Sequence, residues 1–531
     1  MKKIFIAILF LFGVITAEGQ YQNIMISNTA SPEEVTICIN PKNPLQVVAG
    51  CNINHFYYSV NGGLTWSARG TLTSSSYGVW GDPVIIVDTN GHFYYFHLSN
   101  PPSGGGHWID RIVCQKSTNA GVSWNNPGSY TFYDPNKEQD KEWAVVDYNN
   151  NHIYCTWTQF DSYGSSSQLD STNILFAKST DGGATWTAVK RINQLGGDCI
   201  DEDNTVEGAV PAVGPNGEIY VAWSGPKIRN QQFGIFFDKS TDGGNTFMQN
   251  DVYVADQPGG WDFTPAGIYR ANGMPVTCCD VSNGPYRGTI YINYCDEVTS
   301  TDRDVKLVKS TNGGLNWSTP LRVNQDPPGR EQFFTWMTVD RITGYVYIIY
   351  YDRRNTTGNA TDVYLARSTN GGTSFIETKI SSTPFNPSAT VFIGDYNCID
   401  AYNNVVRPIW TRLDGSALSI YTAIIDFNTS TIGPIENLPK KFTLEQNYPN
   451  PFNPVTKIKY EVPPSKNGDL QFAQIIIFDI TGKEVTKIVD GLVKPGRYEA
   501  QWNGAGFSSG TYFYKLVAGD FSETKKMVLI R

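Results

Sequence analysis

One eight-residue phrase, repeated at nearly constant spacing, constrains this chain more than any other feature. It reads Ser179-Thr180-Asp181-Gly182-Gly183-Ala184-Thr185-Trp186, and further copies begin at Ser59, Ser117, Ser240, Ser310 and Ser368. Successive starts lie 58, 62, 61, 70 and 58 residues apart. A period of this size means one supersecondary unit stacked several times. The third position is Asn or Asp (Asn61, Asn119, Asp181, Asp242, Asn312, Asn370), whose side chain folds back onto nearby backbone N–H groups. The fifth is Gly (Gly63, Gly121, Gly183, Gly244, Gly314, Gly372), which permits a positive φ. The eighth is aromatic (Trp66, Trp124, Trp186, Phe247, Trp317, Phe375) and is expected to lie across its own hairpin.

Upstream of each phrase runs an apolar strand, a turn with Asn or Gly, and a strand rich in Tyr, Val, Ile and Trp. Val84-Ile85-Ile86-Val87 leading to Phe93-Tyr94-Tyr95-Phe96 is one example. A short strand such as Leu321-Arg322-Val323-Asn324 follows each phrase. Each unit therefore reads as four antiparallel strands. Seven first strands are present, but only six phrases. The last unit stops at its third strand, Leu418 to Ile425, and Asn23 to Asn28 resembles the missing fourth. Pairing the two would close the ring and leave no open edge. The expected fold is all-β: a seven-bladed, alternatively six-bladed, β-propeller over residues 20–427, then a small immunoglobulin-like β-sandwich. The phrase resembles the Asp box, or BNR repeat, of sialidase-like propellers. That resemblance implies a structural turn on the face away from any active site.

Lys2 and Lys3 precede an apolar run from Ile4 to Ala17, so residues 1–19 read as a signal peptide. No other stretch is expected to span a bilayer. The net charge of −9 argues against nucleic-acid partners. Nine cysteines, most in expected strands and none in metal-type spacing, read as small buried thiols. Residues 428–441 read as a linker. Residues 442–531 carry five expected strands and four distinctive pieces: Tyr448-Pro449-Asn450-Pro451-Phe452, Ile480-Thr481-Gly482-Lys483-Glu484-Val485, Ser508 to Tyr514, and Lys525-Lys526-Met527-Val528. This tail resembles the type A sorting domain of proteins exported by type IX secretion. The resemblance implies handling by that machinery, then release or attachment at the outer-membrane surface.

If the repeated turns mark one face, the starts of the first strands and the loops between second and third strands share the other. Strand starts place Glu34, Asp82, Lys141, Glu142, Glu207 and Asp395 there. Loops add Asp352, Arg353 and Arg412, with Trp80, Trp143 and Trp336 nearby. Carboxylates, Arg and Trp together suit a sugar: acids for glycosidic cleavage, Arg for a carboxylate, Trp for a pyranose face. The candidate catalytic set is Asp82, Glu142, Glu207, Asp352, Arg353, Asp395 and Arg412. Asp296, Asp302 and Asp304 form a candidate Ca²⁺ site through hard oxygen ligands. The sialidase family's Phe/Tyr-Arg-Ile-Pro motif is missing, so its catalytic set cannot be carried over. Gly506 to Gly510 matches Gly-x-Ser-x-Gly but runs into a strand rather than a helix. Two functions stay open. One is a surface module binding glycan or protein ligands opposite the turns; the other is a glycoside hydrolase of exo-α-sialidase type.

Overall fold

The structure, a computed structural model, describes residues 21–102, 108–427, 430–431, 439, 441–463, 471–493, 495–519 and 521–530. The expected signal peptide lies outside the described residues, as does most of the expected linker. Every regular element among the described residues is a strand. No helix among them is long and apolar enough to cross a membrane.

Seven four-stranded antiparallel sheets follow one another from residue 22 to residue 426. Their innermost strands are Val35–Ile39, Gly81–Val87, Glu138–Asp147, Glu207–Val213, Val276–Cys279, Gln332–Val339 and Cys398–Tyr402. Each touches the next, and the last touches the first. In the seventh sheet the outer strand comes from the N-terminal side. Gln22–Ser27 pairs with Ala417–Asp426, from Gln22 opposite Ile424 to Ser27 opposite Ile420. Inner strands such as Phe93–Leu98 are buried along their whole length because sheets cover both faces. That is why they read as unbroken apolar runs rather than alternating ones.

The repeated phrase forms the turn that ends each third strand. In every copy the Ser Oγ accepts the buried N–H of the fifth-place Gly at 2.9–3.0 Å and donates to the third-place Asn or Asp. That Asn or Asp also accepts the N–H four residues on, at 2.9–3.0 Å. The glycines turn with φ of 66–92°. The closing aromatic differs from expectation. Instead of covering only its own hairpin, it wedges against the preceding sheet: Trp124 on Phe56 at 5.9 Å, Trp186 on Phe96 at 5.8 Å, Phe247 on Phe176 at 5.0 Å and Trp317 on Phe237 at 5.0 Å. The ring buries more area between sheets than over a two-strand turn.

The C-terminal region is two four-stranded sheets sharing one core that includes Ile458, Tyr460, Trp502, Ile475, Tyr514 and Met527. The five expected strands are present. Glu484–Val493 was not expected; its pairing with Gln471–Phe478 slips register twice, which breaks the alternation that would reveal it. All nine cysteines are free, and all but the half-buried Cys278 are buried.

Candidate functional site

A β-bulge repeats at the start of four innermost strands. Register slips between Gly81 and Val84, Asp140 and Trp143, Glu207 and Val210, and Phe333 and Trp336. Within each slip one residue takes a left-handed backbone: Asp82 (φ 54°), Lys141 (φ 50°), Gly208 (φ 76°) and Phe334 (φ 51°). Glu34 (φ 49°) and Gly394 (φ 92°) do the same just before the first and seventh innermost strands. Such a conformation is unfavourable for non-Gly residues and is held here by the surrounding sheets. A Cβ on Gly394 would lie 2.6 Å from the Glu34 backbone N, so that position requires glycine. The bulges gather polar side chains where plain strands would bury apolar ones.

Asp395 is the hub of this gathering. Its carboxylate accepts Lys141 Nζ at 2.7 Å and a bidentate grip from Arg270, with Nε at 3.0 Å and Nη2 at 2.6 Å. Lys141 also reaches Asp82 at 3.4 Å, and Arg270 lies 3.9 Å from Asp201. The Asp82 N–H donates to Asn52 Oδ1 at 2.8 Å, and Asn52 donates in turn to Glu34 and, at 3.4 Å, to Glu33. The oxygens of Glu142 and Glu207 are buried without a hydrogen-bond partner.

Environment drives these carboxyls apart. Burial raises Asp395, but Lys141 and Arg270 overcome it and hold it at about 2. Burial and then Asp395 and Asp82 push Glu33 up to about 8. Burial, only partly offset by Lys141, lifts Asp140 to about 7. Burial and the charge of Asp82 raise Glu34 and Glu142 well above the carboxylate range; burial with Asp201 and Asp140 does the same to Glu207. The cluster thus holds an ionised carboxylate beside protonated ones, the division of labour that acid–base chemistry needs.

Below the cluster an aromatic plug crosses the middle of the sheets. Trp143 and Trp336 lie 4.2 Å apart, and Tyr396 packs on them at 5.9 and 6.0 Å. The plug separates two spaces that share both tryptophans. On the acidic side a chamber of about 40 Å³ is lined by Asp82, Lys141, Glu142 and Asp395. On the turn side a cavity of about 410 Å³ is lined by Ile37, Cys38, Cys278, Arg341 and Asp400 among others.

Of the residues expected from sequence, Asp82, Glu142, Glu207 and Asp395 come together here. The others are corrected by their partners. Asp352 is fully buried and held by Arg354. Arg353 is buried against Glu331 and Thr361. Arg412 grips Asp414 at 2.6 Å and the carbonyls of Thr383 and Pro384. None of the three joins the cluster, because each meets a nearer partner within its own part of the sheet array. Asp296, Asp302 and Asp304 do not form a ligand set. Asp304 is taken by Arg322, Lys306 and Asn324. No group of three or more His, Cys, Asp or Glu among the described residues is arranged to hold a metal ion. Sequence reasoning missed Glu33, Asn52, Asp140, Asp201 and Arg270. Arg270 sits in an irregular insertion between Asp262–Phe263 and Ala271–Asn272, where no periodicity marks it.

Residues 446–530 match the family described as the secretion system C-terminal sorting domain. No curated protein matches the chain in sequence. Among solved structures, a protein of unknown function from Dyadobacter fermentans DSM 18053 is 13% identical, covering 65% of this chain and 93% of its own, with a TM-score of 0.43. The Hadza microbial sialidase Hz136 is 13% identical, covering 73% and 75%, with a TM-score of 0.42. The polysaccharide lyase PL25, an ulvan lyase, is 12% identical, covering 76% and 96%, with a TM-score of 0.47. These likenesses are too distant to bear on the chemistry.

Proposed function

We infer that this protein, marked by its sorting domain for export by the type IX system to the outer-membrane surface or the medium, acts on glycans there. We propose that residues 20–427 form a closed seven-bladed propeller and residues 442–531 a separate sandwich. We further propose that the acidic mouth opposite the repeated turns binds a glycan and hydrolyses it. The observation that carries this reading is Glu142: a buried carboxyl with two unpartnered oxygens, kept protonated by its surroundings and set in one chamber with Asp82, Lys141 and the ionised Asp395. A buried, unsatisfied acid is costly and is retained where chemistry uses it.

In this mechanism Glu142 gives its proton to a water held in the chamber, which passes one of its own to the glycosidic oxygen as the bond to the sugar carbon breaks. A water adds to that carbon and yields its proton to Asp82. Asp395, with both oxygens engaged by Lys141 and Arg270, orients Lys141 beside Asp82 and does not attack. A chamber of about 40 Å³ holds a water or two, so the sugar ring sits above it. Lys141 and Arg270 are both committed to Asp395, and Arg353 and Arg412 are occupied elsewhere, so a sialoside carboxylate meets no uncommitted cation among the described residues of the mouth; this favours neutral glycans.

The test is a hydrolysis screen of the purified protein on neutral glycans and sialosides, with Glu142→Gln and Asp82→Asn beside the wild type and circular dichroism as a folding control. Expected is turnover of a neutral glycan, reduced at least about a hundredfold in each variant. Turnover unchanged in both folded variants, or turnover of sialosides alone, would reject the assignment.

A further inference from the structure

Two tryptophans stand exposed beside the acidic mouth. Trp80 is 40% exposed and Trp108 is 39% exposed. They pack edge to face at 5.4 Å and 88°. Trp108 meets Tyr163 in the same manner at 5.7 Å and 85°. Tyr163 rests on Phe160 at 4.7 Å and donates its hydroxyl to Asp201 at 2.5 Å. Burial and the neighbouring Asp140 and Asp201 raise the phenol, so it remains a donor. Asp201 lies 3.9 Å from Arg270, the residue that grips Asp395. A continuous line of contacts therefore runs from open rings on the rim to the buried acids.

We propose that Trp80, Trp108 and Tyr163 form a platform that holds a neutral polysaccharide chain and leads it into the mouth. The proposal rests on the glycan reading above and adds the substrate's class and length: a chain engaged along several units rather than a single terminal sugar. Exposed aromatic faces of this size on a soluble protein mark a contact surface. Three features fit a polysaccharide. The rings stand nearly perpendicular, so they offer separate faces rather than the flat apolar floor a protein partner needs. The half-buried Asp201, which takes the Tyr163 hydroxyl, accepts hydrogen bonds from hydroxyls. The mouth's two cations, Lys141 and Arg270, are both committed to Asp395, so a sulfated or carboxylated polymer finds no counter-charge in them. On the far side of the mouth Arg270 lies over Phe392 at 4.9 Å, and Phe392 packs on Tyr269, which is 58% exposed. A chain crossing the mouth thus meets aromatic surface on both sides.

The test uses the full chain in affinity electrophoresis through gels containing a soluble β-glucan, a xylan or a mannan, with a sulfated polysaccharide as the polyanionic probe. Wild-type protein is expected to be retarded by a neutral polymer and to bind long chains more tightly than the matching disaccharide. Trp80→Ala and Trp108→Ala each lower that affinity about tenfold and remove the advantage of length. Tyr163→Phe, which keeps the ring, retains most of it. Ile376→Ala, a 74% exposed position on an outer strand, serves as the unaffected control. Retardation that both Trp variants preserve, preference for the sulfated polymer, or retention by protein ligands alone overturns the platform. Trp-dependent retention with no hydrolysis of any glycan upholds the platform and rejects the catalytic reading. Hydrolysis with Trp-independent retention does the reverse.

Discussion

Arg407 Nε donates to the carbonyl of Gly62 at 2.6 Å, joining the last sheet to the first repeated turn across 345 residues of sequence. Elsewhere a lysine makes the equivalent contact with the following turn. Lys178 reaches Gly243 O at 2.8 Å, Lys239 reaches Gly313 O at 2.5 Å, and Lys309 reaches Gly371 O at 2.6 Å. The seventh sheet carries no turn of its own, so its neighbour's turn is capped by a buried arginine instead. Arg407 is 1% exposed and also holds Val406 O, Ile425 O and Asp426.

Replacing Arg407 therefore costs more than replacing a lysine at the same kind of contact. Arg407→Met strands buried carbonyls and Asp426, and is expected to lower stability by about 3 kcal/mol. Lys239→Met loses one charge-assisted bond from a half-buried side chain, at about 1 kcal/mol. Urea unfolding of both variants checks the order; an equal loss would mean that the junction between last and first sheets is no more demanding than any other.

The acidic mouth gives stability an unusual pH dependence. The unfolded chain releases the protons of Glu33 and Asp140 near pH 4, whereas the folded chain keeps them to about 8 and about 7. Between those values the folded state binds more protons than the unfolded one, so stability falls as pH rises from about 4 through about 8. Asp395 works the other way: its contribution is present above its usual value and is lost only as pH falls toward about 2, outside that window. Thermal melts from pH 4 to 9 are expected to show the decline, and Glu33→Gln and Asp140→Asn each to flatten it. A melting temperature that climbs with pH across this range contradicts the assignment.

The repeat, the four-strand unit and the N-terminal outer strand were legible because each follows from local chemistry at a fixed offset. Ser179, Asp181 and Gly183 pin a turn wherever they occur, and the strand count follows from the turns. The site was legible only where strand starts decide it, as for Asp82, Glu142, Glu207 and Asp395. Glu33 and Asp140 each lie one residue before a strand-start position that the sequence places on this face, Glu34 and Lys141. The left-handed backbone at those positions, which sequence does not announce, decides how neighbouring side chains share the mouth. Asp352, Arg353 and Arg412 misled for the opposite reason. A charge at a strand end looks like an open mouth residue until the partner that neutralises it, Arg354, Glu331 or Asp414, is placed beside it. Trp108, Tyr163 and Arg270 sit in loops and insertions whose course depends on the whole array.

The repeated turn itself is testable at Ser179. Its Oγ accepts the buried Gly183 N–H at 2.9 Å and donates to Asp181 at 2.8 Å. Asp181 in turn accepts the Thr185 hydroxyl at 2.6 Å and the N–H groups of Ala184 and Thr185, which together hold its carboxyl at about 2. Ser179→Ala leaves the glycine N–H buried without a partner and is expected to cost about 1.5 kcal/mol at pH 7. Asp181→Ala also destabilises, with a different pH signature. A carboxyl depressed in the folded state stabilises above its unfolded value near 3.9 and loses that contribution as pH falls toward about 2. The gap between wild type and Asp181→Ala should therefore narrow over that interval. The gap for Ser179→Ala, which contains no titrating group, should narrow less. Chemical denaturation at pH 7, 4 and 2.5 separates the two; parallel behaviour would mean that the hydroxyl acts only by orienting Asp181.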